Sequence, residues 1–407
     1  MVKMSITILA IETSCDDTAI SILRTENGVF EVLANEVSSQ TELHAKWGGV
    51  VPNLAAREHQ KNIFPMLSLA LAKAGVSPSE IDLIAMTQGP GLIPALLVGT
   101  SAAKTLSYLW EKPLIGIHHV EGHIYANFVG RMSNEKFQIS NEIQDLNNAK
   151  SYKLEASEAI VVFPALCLVV SGGHTQLVFM KDHFHYEIIG QTLDDAAGEA
   201  FDKVARILNI GYPGGPVVAE WATKFQMANH KFQINDELRI SNEKKDSLYG
   251  IKFPRPMLNK NNFDFSFSGL KTAVLYETKK HPDLSKDEKY ISEVCHEFQQ
   301  AAIDVLISKT IKAAQKYKAK TIMLAGGVSA NKELRKQLGE AIKEKLCDPS
   351  NQSYPSYLTP DLSLTGDNAT MIAAAAAFRW QNMSDAEKKA AANNWKTLVP
   401  DANLKLQ

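Results

Sequence analysis

The chain has 407 residues, with 43 Lys+Arg against 45 Asp+Glu and a formal net charge of -2. Apolar residues make up 45% and charged residues 22%, the composition of a soluble globular protein, which excludes disorder as the dominant state. So neutral a chain lacks the global positive field of a dedicated nucleic-acid binder, and any nucleic acid must be held by a local basic patch or with a partner's help. The length suggests two or three domains or lobes.

The N-terminal apolar stretch stops at Glu12 and is followed by Asp16 and Asp17, so it reads as a buried strand rather than a signal peptide. Ile6–Ile11 is expected to be a strand, Glu12-Thr-Ser-Cys-Asp-Asp17 a polar turn, Thr18–Leu23 the returning strand and Glu31–Val37 a third. Ile81–Met86 is a further strand running into Gly89-Pro-Gly91 and a helix. Pro113–Ile117 reads as a short strand ending in His118-His119-Val-Glu121-Gly-His123. His119 and His123 share one helical face and can clamp a metal ion, although an i,i+4 His pair is also an ordinary surface or capping pair. A zinc peptidase needs Glu directly after the first His, as general base. Glu121 lies about 200° round the helix from His119 and faces away, which argues against that chemistry.

The second half repeats the plan. Leu166–Val170, the turn Ser171-Gly-Gly-His174, Thr175–Met180 and Tyr186–Gln191 parallel the first three strands, and Thr321–Ala325 runs into Gly326-Gly-Val-Ser-Ala-Asn331 before a helix. Two α/β lobes, each opening with a hairpin over a cleft, suggest the actin-like ATPase/sugar-kinase/Hsp70 architecture. The Gly-Gly turn at 172–173 is either a plain hairpin or a place where backbone N–H groups approach an anion. The Gly pair at 326–327, between strand and helix, aims a helix N-terminus at a phosphate or ribose, or serves tight packing alone. Asp194–Lys203 reads as an acidic helix, followed by the turn Tyr212-Pro-Gly-Gly215-Pro. Lys252-Phe-Pro-Arg255 and Phe263–Lys271 form a local basic element, either phosphate-binding or a solvated rim, with alternating aromatics that suggest a strand. Thr365-Gly-Asp367 opens an Ala-rich helix ending near Trp380. Asp367 is either its N-cap or a third ligand beside the two histidines, and a two-His-one-carboxylate set suits Fe(II) or Zn(II).

Arg131–Glu158 and Lys224–Ser247 are polar and read as surface insertions, sharing Lys-Phe-Gln-Ile and Ile-Ser-Asn-Glu. The expected division is an N-terminal lobe (1–130), an insertion (131–158), a C-terminal lobe (159–365) with a second insertion at 224–247, and a helix returning towards the N-terminal lobe with a tail (366–407). The longest apolar run, Ala159–Val170, is too short to span a bilayer and contains Pro164. Four separated cysteines without CxxC spacing fit a reducing cytosol, and a soluble, cytoplasmic protein is expected.

Taken together and in order, these blocks resemble the tRNA N6-adenosine threonylcarbamoyltransferase family, TsaD in bacteria. The resemblance rests on Ile11–Thr18, His44–Pro52, Arg57-Glu-His59, Gln88–Leu92, His118–His123, Ser171–Gln176, Asp194–Lys203, Phe265–Lys271 and Gly326–Asn331. It covers nearly the whole chain except the two insertions and the tail. The resemblance implies a divalent metal, Fe(2+) or alternatively Zn(2+), held by His119, His123 and Asp367. It implies that Val169, Val170, Ser171, Gly172, Gly173, Asp202, Gly215 and Asn331 surround L-threonylcarbamoyladenylate. It also implies transfer of threonylcarbamoyl to N6 of the adenosine beside the anticodon, in tRNAs reading codons that begin with A. Bacterial relatives work with a smaller actin-like paralogue (TsaB-like) and a P-loop ATPase (TsaE-like). Many relatives carry an acidic residue after the Pro-Gly-Gly-Pro turn, where this chain has Ala219 followed by Glu220. The alternatives are a metallopeptidase, a small-molecule kinase of the same fold and a non-catalytic scaffold, the last of which would lack the metal ligands.

Overall fold

The computed structural model describes residues 5–26, 29–129, 139–140, 151–154, 160–235, 248–347 and 353–406. The apolar, β-branched run at the N-terminus forms β1 (Ser5–Glu12), whose Ile8–Ile11 are at most 1% exposed. It turns into β2 (Asp17–Glu26) and β3 (Val29–Ser39), and helices α1 (Thr41–Ala45) and α2 (Pro52–Ala74) follow. Next come β4 (Leu83–Gly89), α3 (Ile93–Trp110), β5 (Leu114–His118) and the short α4 (His119–Tyr125). The first sheet has the order β3-β2-β1-β4-β5, with β1 antiparallel to β2 and parallel to β4.

A small antiparallel sheet of β6 (Ile139–Ser140), β7 (Ser151–Leu154) and β8 (Ile160–Val162) separates the halves in sequence. The second half contains β9 (Ala165–Val170), β10 (Thr175–Asp182), β11 (His185–Gln191), α5 (Ala197–Leu208), α6 (Gly214–Asn235), α7 (Ser268–Lys280) and α8 (Glu288–Tyr317). It continues with β12 (Thr321–Ala325), α9 (Lys332–Lys345) and β13 (Ser356–Leu358). Its sheet, β11-β10-β9-β12-β13, repeats the first in order and direction. This duplication is the actin-like fold that the two hairpins suggested.

The chain then returns to the first sheet as α10 (Ala369–Asn382), followed by α11 (Asp385–Ala391) and α12 (Asn394–Thr397). A helix apolar all round must be buried on all sides, and Ala369–Phe378 are at most 4% exposed. Small alanines let α10 lie close to β1 and α4, and Ser21 Oγ meets Thr370 Oγ1 at 2.8 Å. One hydrophobic cluster joins Ile8 and Ala10 of the first sheet to Cys167, Val169 and Met323 of the second through α4 and α10. The ends of β1 and β9 that carry the two motif turns therefore belong to one continuous body.

Two expectations from composition are corrected. Residues 224–235, read as the start of an insertion, continue helix α6, where buried Phe225 stacks on His296 with ring centroids 4.8 Å apart. Most of the first insertion, including 131–138 and 141–150, and the second half of the second, 236–247, lie outside the described residues. Phe265 and Phe267 are fully buried, as the alternation suggested, but the segment makes only one isolated bridge, Thr192 to Phe265, and no strand. Asp194 supplies the missing partners, accepting from both the Ser266 and Ser268 hydroxyls and from the Phe267 and Ser268 amides.

The last residues cross back over the first lobe. Asp401 N donates to Gln88 O at 2.9 Å, and His118 Nε2 donates to Leu404 O at 3.0 Å. A Cβ on Gly89 would stand 1.8 Å from Asp401 O, so this close approach requires glycine there.

Candidate metal and nucleotide site

β5 ends directly in α4, and the turn fixes where its side chains point. His118 caps the helix, its Nδ1 accepting from Val120 N at 3.1 Å, and is thereby occupied. His119 and His123, one turn apart, face the N-terminal end of α10. Asp367 stands there, with Oδ1 3.2 Å from His123 Nε2 and 3.6 Å from His119 Nε2. Asp367 does not cap α10: Asn368 does, its Oδ1 accepting from Met371 N at 2.9 Å. The N-cap reading of Asp367 is therefore wrong, because its neighbour takes the cap and leaves the Asp367 carboxylate to the histidines.

His119, His123 and Asp367 each offer one ligand atom, all within 4.8 Å of one another, and could hold a divalent metal ion. Ligands about 2.1 Å from a tetrahedral ion stand about 3.4 Å apart, and the two His–Asp spacings bracket that value. The ring nitrogens of buried His123 have no directed hydrogen-bond partner among the described residues, as expected of atoms placed for an ion. Behind His119, Nδ1 lies 3.2 Å from Glu12 Oε2 and 3.1 Å from Ser14 Oγ. A carboxylate only accepts, so Glu12 fixes the proton on Nδ1 and presents the Nε2 lone pair to the ion. Glu12 is itself fully buried and held by the Ser14 amide and the Thr87 hydroxyl.

The electrostatics show a site that calls for positive charge. Burial alone would lower the His119 pKa, but the Asp367 and Glu12 carboxylates outweigh it and raise it to about 9. Burial would raise Asp367, yet the two histidines hold it below the usual carboxylate range. Asp17 is pushed up to about 7, by burial first and then by Asp367, Asp16 and Glu12. Without an ion, a proton on His119 does the neutralising. Metal binding must displace it, so affinity falls as pH drops below about 9, by about tenfold per unit. Zn2+ titration calorimetry at pH 7.5 in buffers of differing ionisation enthalpy is expected to show about one proton released per ion. No release at that pH would contradict the site.

The second motif turn adjoins this group. The His174 ring centroid is 6.3 Å from that of His119, and burial with the neighbouring histidines lowers the His174 pKa to about 4, so it is neutral. Ser171 N donates to His174 O at 2.8 Å and closes the turn. Val169 and Val170 are buried in β9. The turn is walled by glycines at close approaches: a Cβ on Gly326 would meet Val170 O at 2.5 Å, and one on Gly198 would meet Ser171 O at 2.6 Å. Gly172, Gly173, Gly215 and Gly327 behave oppositely, with no described atom within 4 Å of where a Cβ would stand. The structure thus brings Val169–Gly173 directly against the Gly326 turn.

Asp202 and Asn331 are placed differently from free ligands. Asp202 Oδ1 accepts from Gly214 N at 2.7 Å and anchors the start of α6. Asn331 caps α9 through Leu334 N at 3.0 Å and donates to Gln299 Oε1 at 2.8 Å. Glu220 is turned outward into a pair with Lys224 at 3.1 Å.

The basic element is largely spent internally. Arg255 pairs with Asp304 at 2.9 Å and reaches Glu297 at 3.8 Å, and Lys271 lies 3.5 Å from Asp195. His59, part of the Arg57-Glu-His59 block but given no role by sequence reasoning, is buried and braces the first motif turn. Its Nε2 donates to Cys15 O at 3.0 Å, and Nδ1 meets Thr18 Oγ1 at 2.7 Å. Among the described residues no helix is long and apolar enough to cross a membrane.

Fold and site together define a two-lobed, actin-like protein with a His-His-Asp group beside a glycine-walled turn. The family model for tRNA N6-adenosine threonylcarbamoyltransferase matches residues 31–137 and 146–374, and the chain belongs to that family. It is 44% identical over 369 residues to the tRNA N6-adenosine threonylcarbamoyltransferase of Persephonella marina, covering 90% of this chain and 88% of the relative. It is 41% identical over 374 residues to that of Bacillus subtilis, covering 92% and 90%. Among solved structures, HypF of T. kodakarensis is similar over 93% of this chain and 49% of its own, with a TM-score of 0.50 at 12% identity, a likeness of fold.

Proposed function

We propose that this chain transfers the threonylcarbamoyl group from L-threonylcarbamoyladenylate to N6 of the adenosine adjacent to the anticodon, in tRNAs reading codons that begin with A, releasing AMP. The observation that carries this reading is the adjacency of the His119–His123–Asp367 group to the glycine-walled turn at 171–174, on a chain of this family. The donor is a mixed anhydride of a carbamic acid and AMP. N6 attacks the carbamoyl carbon, the carbon–oxygen bond to phosphate breaks with its electron pair leaving on AMP, and the proton that N6 gives up passes to the leaving phosphate or to solvent. The amine is a weak nucleophile, so the reaction depends on near-attack positioning and a polarised carbonyl.

His119, His123 and Asp367 would hold one divalent ion, Fe2+ or alternatively Zn2+, which when bound supplies Lewis-acid polarisation and a template for donor oxygens. Glu12 and Ser14 orient His119 for that task. The main chain of Val169–Gly173 and Gly215 lines the donor, since bare glycines let a ligand come close to backbone N–H groups. Asp202 and Asn331 shape the walls by fixing the starts of α6 and α9. Glu121 cannot serve as a peptidase base, because Arg379 holds both of its oxygens. A tRNA substrate supports a cytoplasmic location, and the partners proposed are a smaller actin-like paralogue and a P-loop ATPase.

Gly173→Val and Gly215→Val test the donor site. Their side chains would enter space that the protein leaves open, so fold and metal content should be unchanged while donor affinity drops about tenfold or more, some 1.4 kcal/mol. Gly326→Ala is the contrasting case: with φ +87 and Val170 O at 2.5 Å from the new Cβ, it should lower thermal stability. Parent-like binding of the adenylate by both valine variants, measured calorimetrically, would remove the donor from this turn.

A further inference from the structure

Helix α4 carries two of the three ligands yet has only seven residues. So short a helix has little stability of its own, and tertiary contacts must set its rotation about its axis. One side of α4 presents His119 and His123 to Asp367. The opposite side presents Glu121, 0% exposed, whose two carboxylate oxygens are taken by Nε and Nη2 of Arg379. Arg379 lies in the last turn of α10, and Asp367 stands just before its first. Between these poles the helices touch at Gly122, where a Cβ would come within 2.8 Å of Ile372 and 3.1 Å of Met371. The second half joins the same contact. The Arg379 guanidinium lies 4.9 Å over the ring of Phe184, which stacks on Tyr125 of α4 at 5.4 Å, and the Tyr125 hydroxyl meets His183 Nδ1 at 2.7 Å.

We infer that Glu121 and Arg379 are a positioning pair for the metal ligands: the planar, two-bonded ion pair fixes the rotation of α4 and thereby the spacing of His119 and His123 from Asp367. Rotating α4 would break the pair at one pole as it opened the ligand group at the other, because both poles are referred to the single helix α10. Two parallel bonds specify orientation where a point charge would not. The inference rests on the proposed metal site, and the test separates the two.

The probe is Co2+ added to the full chain, read by its visible absorption, with thermal unfolding followed in parallel. Glu121→Gln and Arg379→Met should bind Co2+ roughly 10–100-fold more weakly, the range for partners that orient ligands, and shift the ligand-field spectrum. Arg379→Lys, which keeps the charge and loses the fork, should change the spectrum and fall between parent and Arg379→Met in affinity. The double variant should lose no more than the worse single. Parent affinity and spectrum in folded Glu121→Gln overturn the positioning role. Should the Gln and Met variants not fold, an unaltered spectrum and affinity in Arg379→Lys overturn it equally. A parent protein that takes up no more Co2+ than Asp367→Ala overturns the metal site and the positioning pair together.

Discussion

Asp367→Ala and His123→Ala are each expected to leave a folded chain that retains no divalent ion and transfers threonylcarbamoyl roughly a thousandfold more slowly, about 4 kcal/mol in the barrier. Removing Asp367 leaves two imidazoles and no anionic ligand, too few donors for a stable site. Removing His123 deletes a buried ring neither of whose nitrogens has a directed partner among the described residues. The fold should tolerate the Asp367 change, because Asn368 and not Asp367 caps α10. Asn368→Ala supplies a contrasting signature, a stability loss of about 1 kcal/mol or more from the missing cap and from the lost Nδ2 bonds to Leu364 O and Gly366 O, with all three metal ligands still present. Elemental analysis of the purified variants and single-turnover transfer with preformed adenylate make the measurement. Full metal occupancy with a parent rate in both variants would remove the ion from the mechanism.

The reach of the sequence ended where chemistry depends on distant contacts. Apolar runs bounded by polar turns placed β1, β2, β9 and β10, because a strand needs only its own pattern to be recognised. The i,i+4 spacing of His119 and His123 likewise carries its own geometry. Asp367 and Asn368 could not be told apart as caps, since both residue types cap well. Only the packing of α10 against α4 assigns one to the helix and the other to the histidines. Glu12 behind His119 and His59 behind Cys15 are contacts across 107 and 44 residues, and no local pattern announces them. The Phe263–Lys271 stretch misled for a physical reason. Alternating aromatics do face the core there, but the Asp194 carboxylate satisfies the backbone that a strand neighbour would otherwise pair. The polar start of the second insertion misled similarly, because buried Phe225 continues the inner face of α6.

Transfer to tRNA is expected to be slow for the isolated chain and to rise strongly, by about a hundredfold or more, when the actin-like paralogue and the ATPase are added. Phosphate contacts supply much of the affinity for a polyanion, and a chain of net charge -2 offers little long-range attraction. Its one recognisable basic element is mostly neutralised, with Arg255 and Lys271 each beside carboxylates. On the proposed reading, another subunit therefore completes the tRNA surface. Adjacent helices α2 and α3 offer a place for one. They expose Phe64, Leu69, Ile93, Leu97, Tyr108 and Leu109, at 41% or more, which is costly for a surface that stays in water. An actin-like paralogue seated there would bear on the lobe that carries β5 and α4, and so on the two histidines. Multiple-turnover assays with the chain alone, with each partner and with both, repeated from low to high salt, make the test. The stimulation should weaken as salt is added, because counterion release drives the tRNA contacts that the partners complete. Leu97→Asp should abolish stimulation by the paralogue while leaving metal content and unstimulated turnover as in the parent, since Leu97 is 49% exposed and touches neither site. Rapid turnover by the isolated chain, indifferent to partners at every salt concentration, would show that one subunit alone builds the whole tRNA site.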